Sequence, residues 1–125
     1  MAGPAGAPTA LVAEDDPLLL RLLSEAFAEL GFRVHAARDG WEALAWAERE
    51  PPDLVLTDYD MPQLDGLALC RRLHARPPTR SVPLVLISGM LREAMPELAC
   101  ADAFLPKPFS LDELEATVEQ VLGRA

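Results

Sequence analysis

Short apolar runs recur along the chain, separated by longer stretches whose apolar residues return at helical spacing. That contrast distinguishes strands from helices. Thr9 to Ala13 is the first run, and it leads into Glu14-Asp15-Asp16-Pro17. Asp16 suits a helix cap and Pro17 the first helical position. The helix that follows carries Leu18, Leu19, Leu20, Leu22, Leu23, Phe27 and Leu30, and stops at Gly31. This is more apolar surface than one buried stripe requires, so either the buried face is broad or one or two leucines face a partner. Phe32 to Ala36 reads as a second strand and Trp41 to Arg49 as a second helix, ended by Pro51-Pro52. Trp41 and Trp46 are five apart and do not share a narrow face, so at least one is expected to be partly exposed. Leu54-Val55-Leu56-Thr57 runs into Asp58 without polar alternation, as in a strand buried on both faces.

A third helix spans Leu67 to Ala75 and ends at Pro77-Pro78; a fourth strand, Pro83 to Ile87, ends at Ser88-Gly89. Met90 to Cys100 reads as a short or broken helix, because Pro96 removes a backbone donor and clashes with the preceding turn. Ala103 to Leu105 is a fifth strand, ending at Pro106-Lys107-Pro108. The last helix covers Leu111 to Leu122, with Ser110 and Glu113 forming a capping box. Strands and helices in strict alternation predict an α/β fold: a five-stranded doubly wound parallel sheet with helices on both faces.

The carboxyl ends of parallel strands share one edge of the sheet, where ligands bind. Four of the five strands end in polar groups: Glu14 and Asp15, Asp58, Ser88 and Lys107. Each alone fits a bland reading, as a solvated cap, a turn residue or a surface charge. Together they point to a site. Clustered carboxylates repel one another unless a cation neutralises them, and an all-oxygen donor set that retains water suits Mg²⁺. With Lys107 as a second positive charge and Ser88 as a hydroxyl donor, such a site can position and neutralise a phosphoryl group, with a carboxylate as nucleophile.

With 125 residues, half of them hydrophobic, the chain is long enough for one domain. No apolar run reaches the roughly 18 residues of a membrane span. Residues 1–9 are expected to form a flexible tail and 10–123 the domain, with a cytoplasmic location. The formal charge of −9 argues against direct nucleic-acid binding. Cys70 and Cys100 show no metal-ligand or redox spacing, and reduced thiols are expected, with a disulfide as the less favoured alternative. His35 and His74 have no catalytic or metal partner nearby in sequence and are expected to be bystanders.

The combination Leu11-Val12-Ala13-Glu14-Asp15-Asp16-Pro17, Asp53-Leu54-Val55-Leu56-Thr57-Asp58 with Met61-Pro62 and Asp65-Gly66, Val85-Leu86-Ile87-Ser88-Gly89, and Phe104-Leu105-Pro106-Lys107-Pro108-Phe109 resembles a response-regulator receiver domain of two-component signalling, in the CheY-like superfamily. The resemblance covers about residues 10 to 122 and implies a flavodoxin-like (βα)5 three-layer sandwich. It implies Asp58 as phosphoacceptor from a histidine kinase or phosphotransfer protein. It further implies Mg²⁺ held by Asp15, Asp58, the main-chain carbonyl of Asp60 and, through water, Glu14. Lys107 would pair with the acyl phosphate and Ser88 would hydrogen-bond it, with Phe104 as the aromatic switch and a cis Lys107–Pro108 bond. The downstream protein partner is unidentified, and homodimer formation stays open.

The sequence departs from that family in one region. Ser88 and Lys107 are 19 apart, a few residues fewer than usual, and Cys100 stands where a glycine commonly ends the fourth helix. An unusual, mobile surface at 90–100 is expected there, with signalling through a non-standard partner or another face such as the first helix. Met90 cannot hydrogen-bond an attacking water, which predicts a phosphoryl lifetime longer than that of Met90→Glu. Two other readings remain: a phosphorylation-independent receiver-like binding module, and a haloacid-dehalogenase-like phosphatase suggested by Asp58-Tyr59-Asp60. In the phosphatase family, however, the nucleophile strand comes first.

Overall fold

The computed structural model describes residues 6–89 and 100–123. The strands are β1 (Thr9–Ala13), β2 (Arg33–Ala37), β3 (Leu54–Asp58), β4 (Leu84–Ser88) and β5 (Ala103–Pro106). They pair in parallel in the order β2-β1-β3-β4-β5. The helices are α1 (Pro17–Glu29), α2 (Gly40–Arg49), α3 (Gly66–His74) and α4 (Leu111–Val121), with a 3-10 turn at Pro77–Thr79 that the sequence pattern did not reveal. The helix expected at 90–100, its mobility and the role of Met90 fall almost wholly outside the described residues.

Alternate strand residues feed two cores, as the two-residue strand period requires. Leu11, Val55, Leu84 and Leu86 pack with Ala43, Leu44 and Ala47 of α2 and Leu69 and Leu73 of α3. Ala10, Val12, Leu54, Leu56, Val85 and Ile87 pack on the other face with Leu20, Leu23 and Phe27 of α1 and Leu114 and Val118 of α4. β1, β3 and β4 are buried along their whole length, whereas β2, at the sheet edge, is mostly half-buried. The surplus leucines of α1 are accounted for: Leu18 and Leu22 are 65% and 52% exposed. Trp41 is exposed too, with the Arg72 guanidinium 4.9 Å from its ring centroid, while Trp46 stacks on His35.

Side-chain oxygens set the helix starts. Asp16 accepts from the N–H groups of Leu18 and Leu19, Asp39 from Glu42, Asp65 from Ala68, and Ser110 forms the expected box with Glu113. Each satisfies amides that the helix itself leaves unpaired. Carboxylates also fix the amino ends of strands: Asp53 accepts from the Thr9 N–H and Asp102 from the Leu84 N–H, both at 2.8 Å. With the strand starts held, the opposite edge is set as well.

The cysteines correct an expectation. Cys70 and Cys100 are joined in a disulfide rather than present as free thiols, with Cα atoms 6.4 Å apart. Thirty residues separate them in sequence; α3 and the residues leading into β5 bring them together. His74 is brought against this bridge, its Nδ1 3.8 Å from the Cys70 sulfur and 3.5 Å from that of Cys100.

Candidate functional site

The expected residues meet at the carboxyl edge of the sheet. Glu14 follows β1 and is buried; Asp15, next to it, is exposed; Asp58 is the last residue of β3 and is buried. Carboxylate oxygens of all three lie within 4.8 Å of one another. The Lys107 ammonium, just past β5, reaches across the sheet to Glu14 Oε1 and Asp58 Oδ2, at 3.2 Å each. The Lys107–Pro108 peptide bond is cis, as expected.

Local backbone geometry orders the acidic loop. The Asp16 N–H donates to Glu14 Oε2 at 3.0 Å, so Glu14 is held from both sides. The Asp60 N–H donates to Asp58 Oδ1 at 3.1 Å, which orients the Asp58 carboxylate. Gly66 opens α3 directly against this loop. Its N–H donates to the Tyr59 carbonyl, and a Cβ on it would strike the Asp58 carbonyl oxygen and come within 2.9 Å of the Tyr59 Cα.

Ser88 ends β4 beside Asp58 and is buried. Its hydroxyl donates to Asp60 Oδ2 at 2.9 Å, a contact the sequence reading did not foresee. Phe104 lies in β5 opposite Leu86, half-buried against the core beneath α2 and α3. A cavity of about 500 Å³ opens beside Lys107, lined also by Leu19, Gly89, Pro108 and Phe109.

The electrostatics follow from burial. Desolvation pushes the Glu14 carboxyl up to about 7; the Asp16 amide lowers it, Asp58 raises it and Lys107 lowers it, in decreasing order of effect. Burial acts to lower the Lys107 ammonium, but the charges of Asp58 and Glu14 outweigh this and leave it raised. One ammonium thus faces a cluster with more than one carboxylate. That imbalance, with oxygen donors only, fits a hard divalent cation such as Mg²⁺.

Among known proteins, the response regulator receiver domain family matches residues 10–119. The transcriptional activator PfeR of Pseudomonas aeruginosa is 42% identical over 120 residues, covering 94% of this chain and 38% of PfeR. The response regulator MprA of Mycobacterium leprae is 36% identical over 115 residues, covering 91% of this chain and 50% of MprA. The chain thus spans about half or less of these two relatives. Among solved structures, the receiver domain of a signal transduction histidine kinase from Syntrophus aciditrophicus superposes with a TM-score of 0.85 at 32% identity, covering 94% of this chain and 91% of that one. The receiver domain of a sensor histidine kinase from Pseudomonas aeruginosa, with a magnesium ion coordinated in its active site cleft, gives 0.82 at 28%, covering 94% and 99%. These matches leave the haloacid-dehalogenase-like reading without support, and the chain belongs to the response regulator receiver domain family.

Proposed function

We propose that Asp58 accepts a phosphoryl group from the phosphohistidine of a histidine kinase or phosphotransfer protein. The observation that carries this reading is the convergence of Glu14, Asp15 and Asp58 with the Lys107 ammonium at one sheet edge. An Asp58 carboxylate oxygen attacks phosphorus, the P–N bond to the donor imidazole breaks, and the imidazole leaves as the acyl phosphate forms. Glu14, Asp15, Asp58 and the main-chain carbonyl of Asp60 would hold Mg²⁺, which supplies charge neutralisation at the phosphoryl oxygens. Lys107 adds its positive charge on the Asp58 side, and the buried strand end keeps Asp58 in one orientation.

Ser88 and Phe104 carry the response. The Ser88 hydroxyl is engaged by Asp60; phosphorylation offers it a more highly charged acceptor, and charge-assisted hydrogen bonds are the stronger ones. As Ser88 turns, Phe104 repacks, altering the surface offered to a downstream protein. The functional unit is residues 10–123, acting in the cytoplasm by protein contact rather than by binding nucleic acid. Among the described residues no helix is long and apolar enough to cross a membrane.

Incubation with Mg²⁺ and acetyl phosphate, followed by intact-mass measurement, tests this reading. The wild type should gain one phosphoryl group and Asp58→Ala none. If neither protein gains one and beryllofluoride also fails to shift wild-type NMR signals, the proposal fails in favour of a phosphorylation-independent binding module.

A further inference from the structure

We propose that Cys70, His74 and Cys100 form a second metal site, separate from the carboxylate cluster, which takes one Zn²⁺ when the two cysteines are thiols. The three side chains place Sγ, Nδ1 and Sγ within 4.8 Å of one another. They come from two places in the chain: Cys70 and His74 are one helical turn apart on α3, and Cys100 lies just before β5. Two sulfurs and an imidazole nitrogen make a soft donor set that suits zinc and not magnesium.

The orientation of His74 carries the argument furthest. Its Nε2 lies 3.3 Å from the Val82 carbonyl oxygen. A carbonyl can only accept, so Nε2 carries the hydrogen, which leaves Nδ1 as the nitrogen whose lone pair a metal between the sulfurs would take. A backbone carbonyl on the far nitrogen is the usual outer partner of a metal-bound histidine, fixing tautomer and ring plane. The nitrogen–sulfur distances of 3.5 and 3.8 Å bracket the edge of roughly 3.6 Å that ordinary Zn–N and Zn–S bonds give at tetrahedral angles. Cys70 is fully buried while His74 and Cys100 are half-buried. Solvent therefore reaches the cluster from one side, and water can fill the fourth position.

The disulfide is the oxidised form of the same pair and excludes the metal. Reduction by a phosphine splits the S–S bond into two thiols as the phosphine takes an oxygen atom from water. Metal binding then displaces both thiol protons. The two sulfurs must separate to roughly 3.8 Å, a tetrahedral Zn–S edge. In either state the cluster ties α3 to the residues leading into β5, the strand that carries Phe104.

Cobalt(II) is the probe, because a thiolate-to-cobalt charge-transfer band reports sulfur ligation and the oxygen donors of the carboxylate cluster give none. The protein is reduced with phosphine, its free thiols are counted, and Co²⁺ is added to the full chain. The expected result is a band that saturates at one equivalent, is bleached by Zn²⁺, is absent from the oxidised protein and from Cys100→Ser, and requires at least about tenfold more cobalt in His74→Ala. No band with both thiols free, or thiols that resist reduction in the folded protein, overturns the site and leaves a structural cross-link. A band unchanged in His74→Ala overturns the three-ligand assignment. None of these outcomes depends on whether Asp58 accepts a phosphoryl group.

Discussion

Glu14 links burial to pH. The folded protein binds its proton more tightly than the unfolded chain does, because burial lifts the carboxyl from about 4.5 to about 7. The stability this contributes is therefore fully present below pH 4.5 and is lost as pH rises through about 7. In metal-free buffer, urea unfolding should show wild-type stability falling across that window relative to Glu14→Gln, whose side chain does not titrate. Under the proposed function Mg²⁺ would bind the folded, ionised cluster and not the unfolded chain, so adding it should restore stability at the high-pH end. Equal pH slopes for the two proteins would show that Glu14 is solvated. The site residues themselves were legible in the sequence because each ends an apolar run, and a run ending in Glu, Asp, Ser or Lys needs no tertiary information to be noticed. The Ser88–Asp60 hydrogen bond and the Cys70–His74–Cys100 cluster were not legible. Both depend on which strand lies beside which and on where α3 sits above the sheet.

At the scale of elements, α3 is positioned by the absence of one carbon atom. Gly66 allows its first turn to lie against the Asp58–Tyr59 backbone, and a methyl group there meets the Asp58 carbonyl oxygen and the Tyr59 Cα as well as Leu86 Cδ1; the side chain can turn away but the two backbone atoms cannot. Gly66→Ala should cost about 1–3 kcal/mol of stability and slow phosphorylation by acetyl phosphate. Ser110→Ala should cost about 1 kcal/mol by removing the α4 cap while leaving that rate unchanged, since the cap touches only Glu113. Chemical denaturation and time-resolved mass measurement on the two variants separate site geometry from stability. An unslowed Gly66→Ala would show that the loop shifts without consequence. The caps of α1 and α4 could be read from Asp16-Pro17 and Ser110 with Glu113 because capping is local chemistry. The span of β2 could not: the sequence suggested Phe32 to Ala36, but the strand is Arg33–Ala37. An edge strand is specified on one side only, and Phe32 instead turns into the core against Phe27.

For the whole molecule, the proposed phosphoryl transfer requires a donor to bring a histidine to the mouth of the Glu14–Asp58–Lys107 site, so that donor's surface would cover what surrounds it. Leu18 and Leu22 stand exposed on α1, and the neighbouring Leu19 lines the apolar cavity that Lys107 also borders. Exposed leucines on the helix that begins three residues after Glu14 give a protein partner an apolar foothold, whereas a small phosphodonor has no use for them. The net charge of −9 makes a complementary, less acidic partner face the favoured one. Leu18→Ser with Leu22→Ser should therefore leave stability within about 0.5 kcal/mol per substitution, as for surface changes generally, and leave labelling by acetyl phosphate unchanged. Transfer from a phosphohistidine protein should fall, with the loss largely overcome at high donor concentration because the defect lies in docking. If both donors slow equally, the leucines support the site rather than the partner. If neither slows, the donor approaches over another face of the sheet edge and α1 is not its platform.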